Sequence, residues 1–308
     1  MIIDKFHTDN YFWIPNLDIE LAPRVTMIFG ENGSGKSRLL ESVYQYASHK
    51  CMNSLAHRSN RIFINIFGVN PCYRSYDLEP AILNNLSGNA FSDFMRKCFC
   101  SFTKGLGQFE IVDFFRSEDG LSLFVKNEAG EISLLGILPL SYRCLFLILI
   151  EIALCSHRTE KYFDVNGFVL IDDIDLHLSP VLQQTVMERF TRTFPNVQFV
   201  VTTHSPIMLS HLPQDENNRI YQIISYGYTY RLLEVNDVYG LDYNSVVSLV
   251  MGAHDRDPHV QAIKDRYVRL MRRGITDKAA IAAEEIKRLF PDSYEAILKE
   301  LEEKVNQA

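Results

Sequence analysis

The stretch Gly30-Glu31-Asn32-Gly33-Ser34-Gly35-Lys36-Ser37 constrains this chain more than any other. It fits the phosphate-loop pattern G-x-x-x-x-G-K-[S/T] at every fixed position. Its flanks fit too. The mostly apolar run Val25 to Phe29 predicts a buried strand before it. Leu39, Leu40, Val43, Tyr44 and Ala47 recur at the spacing of one helix face after it. The chemistry requires that order. Glycines let the backbone wrap a phosphate with its N–H groups turned inward, and the helix N-terminus favours negative charge. A lysine in the place of Lys36 reaches the β- and γ-phosphates, and a hydroxyl in the place of Ser37 sits on Mg²⁺. The expected ligand is a nucleoside triphosphate, and the expected architecture is α/β.

A chain of 308 residues has ample material for one large domain or two ordinary ones. Its net charge of −7 excludes a surface that is basic throughout, so any nucleic-acid contact must be a local patch. Six cysteines (Cys51, Cys72, Cys98, Cys100, Cys144, Cys155) lack zinc-site spacing and read as reduced thiols. The run Leu145 to Cys155 is too short to span a bilayer, which takes about 20 residues. No basic segment followed by an apolar core opens the chain. The expectation is a soluble, cytoplasmic protein with no membrane contact.

Taken in order, the chain predicts strands at Ile2 to Phe6, Leu17 to Leu21 and Val25 to Phe29. Tyr11, Phe12 and Trp13 precede the second of these, where aromatics read as core more readily than as an adenine platform. Residues 50–136 read as an inserted α+β lobe. It holds the alternating strand Ile62, Ile64, Ile66, a helix over about 81–104, and three short strands within 109–135 separated by turn signals. Strands and helices then alternate from Leu138 to Val201, the rhythm of a parallel sheet covered by helices. A hairpin turns at Tyr226-Gly227, and residues 241–308 read as a charged helical extension. The domain reading is thus a P-loop core at 1–49 and 137–240, the lobe at 50–136, and the extension.

Two further motifs accompany the loop. Val169-Leu170-Ile171-Asp172-Asp173 is an apolar strand ending in carboxylates, where the first acid holds Mg²⁺ and the next orients an attacking water. Val200-Val201-Thr202-Thr203-His204-Ser205-Pro206 ends another strand in an imidazole suited to a γ-phosphate.

Together, GENGSGKS, VLIDDIDLHLSP and VVTTHSP resemble the SMC/RecF/OLD-type branch of the ABC ATPases, including the compact ATPases of bacterial antiphage systems such as Septu and retron-linked operons. The resemblance covers about residues 1–250. It implies ATP as nucleotide and a homodimer closed over two ATP molecules. Gly30 to Ser37 would be the Walker A loop, Asp172 the Walker B carboxylate, His204 the switch histidine and Ile174 to His177 the D-loop. It further implies that a separate nuclease or toxin does the damage, since the chain has no nuclease motif of its own. The alternatives are a repair-type ATPase acting directly on DNA, and an ATP-sensing scaffold that never turns over. The glutamine that couples nucleotide to lobe in such ATPases is not identifiable from the motifs, Gln108 being no more than a candidate.

Two departures bear on rate. Relatives resembling this chain carry Glu where it has Asp173, whose carboxylate reaches about 1.5 Å less far. Their signature resembles L-S-x-G-Y-R, whereas this chain has Leu138-Pro139-Leu140-Ser141-Tyr142-Arg143, leaving Ser141 as the residue that faces nucleotide. On the extension, Arg266, Arg269 and Arg273 share a face by spacing, and are the candidates for nucleic-acid contact.

Overall fold

The computed structural model describes residues 4–7, 17–52, 62–66, 89–106, 110–117, 120–126, 129–134, 138–157, 167–226, 229–253 and 257–306. Tyr11 to Trp13 and Gln108 lie outside them. Strands β1 (Lys5–His7) and β2 (Asp18–Glu20) pair antiparallel as a small ribbon. β3 (Val25–Phe29) is buried at every residue, as a mostly apolar strand covered on both faces should be. Helix α1 (Lys36–Met52) follows the glycine-rich loop directly.

The central sheet has six strands. To β3 are added β4 (Ile62–Ile66), β8 (Gly167–Ile171), β9 (Val197–Thr203), β10 (Asn218–Tyr226) and β11 (Thr229–Glu234). Their spatial order is β11-β10-β3-β9-β8-β4, all parallel except the antiparallel edge strand β11. The closing hairpin is therefore part of the core sheet. So is β4, although it falls inside the stretch read as a lobe. Alternation marks a half-buried strand but cannot say which sheet it joins, and only tertiary pairing with β8 decides that. What remains of the lobe is helix α2 (Asn89–Thr103) and the antiparallel meander β5 (Glu110–Ser117), β6 (Gly120–Lys126) and β7 (Ile132–Leu134).

Helices cover both faces of the sheet. On one, Leu39, Leu40 and Val43 of α1 pack with Ile28, Leu170 and Val200 and with Phe6 and Ile19 of the ribbon. On the other lie α2, α3 (Leu140–His157) and α4 (Pro180–Thr193), joined by an aromatic chain. Phe99 meets Phe146 at 5.1 Å between ring centroids, Phe102 meets Phe190 at 4.9 Å, and Phe190 meets Phe199 of β9 at 5.9 Å. Burial pushes the Cys98 thiol up to about 12, and with Cys144 also buried these two behave as core residues.

A short helix α5 (Pro206–His211) follows β9. Beyond one α-turn at Tyr243–Ser245 and a π-turn at Val246–Val250 come α6 (Pro258–Arg272), α7 (Thr276–Leu289) and α8 (Tyr294–Asn306). The chain divides into two compact units, Met1–Val246 and Val247–Ala308. The second has its own small core of Ile263, Tyr267, Ala279, Ala282, Ile286 and Leu301. Among the described residues no helix is long and apolar enough to cross a membrane.

One buried cation ties α2 to the core. Arg189 of α4 donates from Nη1 to Phe102 O and Lys104 O, both at 2.8 Å, and from Nε to Thr185 Oγ1 at 2.9 Å. It thereby caps the carbonyls that α2 leaves unpaired at its C-terminus. Arg189→Met keeps the apolar stem and removes the donors. It should cost about 1–3 kcal/mol, read as a lower urea midpoint at unchanged slope. A midpoint equal to wild type would show that the cap contributes nothing.

Candidate functional site

Register builds the site. β3, β9 and β8 lie side by side and parallel, with Phe29 opposite Thr203, Ile28 opposite Thr202 and Ile171 opposite Val201. Their carboxyl ends therefore stop at one level, and the three motifs that leave them, Gly30 to Ser37, His204 and Asp172-Asp173, share one sheet edge. That edge is where open parallel sheets bind ligands.

The loop needs its glycines for specific reasons. A Cβ on Gly30 would sit 2.4 Å from Ile223 O and 2.8 Å from Ser34 Oγ. Gly35 has φ +97°, and a Cβ there would meet the Tyr230 ring at 2.9 Å. Both positions are closed to any side chain. Glu31, Asn32, Gly33 and Ser37 are exposed, whereas Ser34 and Lys36 are buried. Lys36 folds over the loop, its Nζ donating to Gly30 O and Glu31 O at 3.1 Å each. Burial pulls its ammonium below the ordinary value, and the carboxylates of Asp173, Asp172 and Asp175 pull it back up. Ser34 Oγ is buried and unpartnered among the described residues, a polar atom without a hydrogen bond in the phosphate cradle.

The acid pair is held from β9. Thr202 Oγ1 donates to Asp172 Oδ1 at 2.5 Å and accepts the Asp173 N–H at 2.7 Å. Thr202 is fully buried. Sequence reasoning gave it no role, although it stands in the Thr-Thr-His-Ser-Pro run. The next residues repeat the device. Asp175 Oδ1 accepts from Thr203 Oγ1 at 2.6 Å and from the His204 N–H at 3.1 Å. Ser205 Oγ donates to Gln183 Oε1 at 2.6 Å and accepts the Met208 N–H that opens α5. Strand β9 thus fixes the strand-end acids of β8 and the turn after it.

Asp173 is the strained member. Its φ of 47° lies in the left-handed region, as does the 65° of His177 in the same turn. Its Oδ1 is buried without a hydrogen bond and lies 3.9 Å from His204 Nε2, beyond bonding distance. Burial raises the Asp173 carboxyl above its ordinary value, Asp172 and Asp175 add to the rise, and His204 opposes it. A carboxylate with a raised pKa and a free oxygen beside an imidazole suits a group that orients and deprotonates water.

The structure therefore brings together Gly30 to Ser37, Asp172, Asp173 and His204. Ser141 is half-buried in the first turn of α3, and no hydrogen bond or ion pair joins it to that set among the described residues. Arg266, Arg269 and Arg273 belong to the second unit. No three His, Cys, Asp or Glu side chains cluster as a self-sufficient metal site among the described residues. An exposed Ser37 with a rigidly held Asp172 instead fits a Mg²⁺ whose remaining ligands come from phosphate and water.

Compared with known proteins, residues 143–210 match the family described as "AAA domain, putative AbiEii toxin, Type IV TA system". An SMC head solved with the C-winged helix domain of ScpA superposes with a TM-score of 0.53 at 14% identity, covering 76% of this chain and 98% of that one. The fold is that of an SMC-type ATPase head. Among curated proteins, the chain is 28% identical over 165 residues to the "Retron Vc95 probable ATPase" of Vibrio cholerae, covering 51% of this chain and 31% of that protein. It is 35% identical over 75 residues to the Septu protein PtuA of Bacillus mycoides, covering 24% of this chain and 11% of that protein. The chain thus matches less than a third of either relative's length. By sequence it is similar to a probable ATPase of a retron and to a Septu protein, and by fold to an SMC head.

The raised Asp173 carboxyl has a pH signature. Its ionisation is opposed in the folded protein, so it destabilises the fold at neutral pH. Below the ordinary carboxylate range, about pH 4, it is protonated folded or unfolded and the penalty vanishes. Ligand-free Asp173→Asn should melt above wild type at neutral pH, with the two curves converging as pH falls through that range. A variant no more stable than wild type at neutral pH would contradict the placement of this carboxyl.

Proposed function

We propose that this protein is an ATP-driven switch: two copies close over two ATP molecules and thereby control a partner effector, a nuclease or toxin, in antiphage defence. The observation that carries the reading is the meeting of Lys36, Asp172, Asp173 and His204 at one edge of an SMC-head sheet. Lys36 exchanges the carbonyls of Gly30 and Glu31 for β- and γ-phosphate oxygens. Ser37 and Asp172 would hold Mg²⁺, which when bound would neutralise charge on the phosphates. With one oxygen of Asp172 engaged by Thr202, the other would be the one to serve the metal. Asp173 orients water at the γ-phosphate, and His204 supports it on the phosphate side.

Closure needs a second copy's signature helix. The N-terminus of α3 suits that role, with Pro139 and Leu140 exposed ahead of Ser141. Pro139 supplies neither hydroxyl nor N–H, and Ser141 puts a side chain where backbone would approach phosphate. Together with the short reach of Asp173, this favours slow turnover and a long-lived closed state. A misplacement of about 1 Å can cost on the order of 10²-fold in rate. The protein acts as a clamp and not as a motor.

Lys36→Ala should weaken ATP binding at least about tenfold, roughly 1.4 kcal/mol, in titration calorimetry. Equal affinities would overturn the nucleotide site. Asp173→Asn should keep that affinity and lose phosphate release.

Steady-state phosphate release by wild type should stay below about 1 s⁻¹. Pro139→Ser combined with Ser141→Gly should raise it, and Ser141→Gly alone should do so less. A fast wild type, or a double variant no faster, would mean that the start of α3 does not face nucleotide.

A further inference from the structure

The second unit carries a feature that the ATPase reading does not use. Between α6 and α8 runs a groove of about 720 Å³ whose lining includes Lys264, Arg269, Arg272, Arg273 and Lys304 against a single carboxylate, Asp265. Five cations converge there in a chain whose net charge is −7.

The helix geometry explains which basic residues take part. Gln261, Asp265, Val268 and Arg272 recur at three- and four-residue steps and form the floor on α6, with Leu301 and Lys304 contributed by α8. Lys264 and Arg269 flank that stripe, and Arg273 sits at the C-cap. Arg266 points elsewhere: it is bonded to Glu285 of α7. The trio Arg266, Arg269 and Arg273 suggested by spacing is thus divided, and Lys264, Arg272 and Lys304 replace Arg266.

The charges are poorly compensated from within. Lys304 pairs with Glu300 at 2.6 Å, and Arg272 Nη2 donates to Lys304 O at 2.6 Å, which ties α6 to α8. Lys264 lies over the Phe290 ring at 5.5 Å. Arg269 and Arg273 are exposed and have no ion pair among the described residues. Held close together, like charges repel, and an anion in the groove relieves that repulsion.

We infer that this groove binds the phosphodiester backbone of a nucleic acid. Three of the five cations are arginines, whose planar forks match phosphate oxygens in pairs. The apolar lining is only Val268 and Leu301, with no aromatic ring among the lining residues. An acidic peptide would find no pocket for apolar anchors, and a base would find no stacking platform. What remains is sequence-independent contact to phosphates. From Lys264 to Arg273 the helix rises about 14 Å, room for roughly three phosphates. The inference rests on the second unit alone and is independent of the nucleotide site.

The test uses the full chain and fluorescently labelled oligonucleotides, single-stranded and duplex, followed by anisotropy across a salt series. With about three phosphates engaged, log affinity should fall against log salt with a slope near −2 for single strands and near −3 for duplex, and mixed and homopolymeric sequences of either form should bind alike. Arg269→Ala with Arg273→Ala should weaken binding at least about tenfold and flatten the slope by about 1–2. Arg266→Ala should change neither. All variants should keep the wild-type melting temperature and wild-type ATP affinity, which separates loss of this groove from loss of the fold or of the nucleotide site. Binding that ignores salt, a double variant that binds like wild type, or equal weakening by Arg266→Ala would overturn the assignment. So would poly-glutamate held as tightly as the oligonucleotides.

Discussion

Parallel pairing of β3, β9 and β8 is the constraint on which the site depends. A parallel ladder fixes where neighbouring strands end, and here Phe29 and Thr203 are partners while Ile171 lies opposite Val201. Three segments from distant parts of the chain are thereby delivered to one edge. Such a sheet must be buried on both faces, which accounts for the burial of every residue of β3 and β9 and for helices on either side. Lys36 is buried beside Asp172, Asp173 and Asp175, so burial lowers its ammonium while the three carboxylates oppose that shift.

Around that edge the protein holds polar groups under strain. Asp173 keeps a left-handed backbone because its N–H is anchored on Thr202, and Thr202 in turn grips Asp172. Asp175 and Gln183 secure the Thr203-His204-Ser205 turn in the same way. A hydrogen-bonded frame of this kind suits a site that must pre-position charge before a ligand arrives. Two buried atoms without a hydrogen bond, Ser34 Oγ and Asp173 Oδ1, lie in the two segments that would meet phosphate and water.

Much of this was legible in the residues. The glycine–lysine–serine pattern predicted a strand–loop–helix, and the structure forms one at Val25–Phe29 and Lys36–Met52. Strand-end acids and the histidine were legible because an apolar run that stops at a polar residue marks a sheet edge. Thr202 was not, since a buried threonine in a β-strand looks like ordinary packing until its partner 30 residues away is known. The ion pair of Arg266 was not legible either, for a related reason. Helical spacing gives the angle of a side chain about its axis but not which neighbour waits there, and that neighbour proved to be Glu285.

By itself, then, the sequence determined the local chemistry: a phosphate loop, strand-end carboxylates, and helices with charged faces. These follow from short-range periodicity and from backbone conformations open only to glycine. Tertiary structure alone decided that β4 and the closing hairpin join the central sheet, that β9 supplies the hydroxyls holding Asp172 and Asp173, and which basic side chains line the groove between α6 and α8. Each of those outcomes depends on pairing between residues far apart in the chain. Such pairing is selected by the packing of the whole core, and no window of sequence contains it.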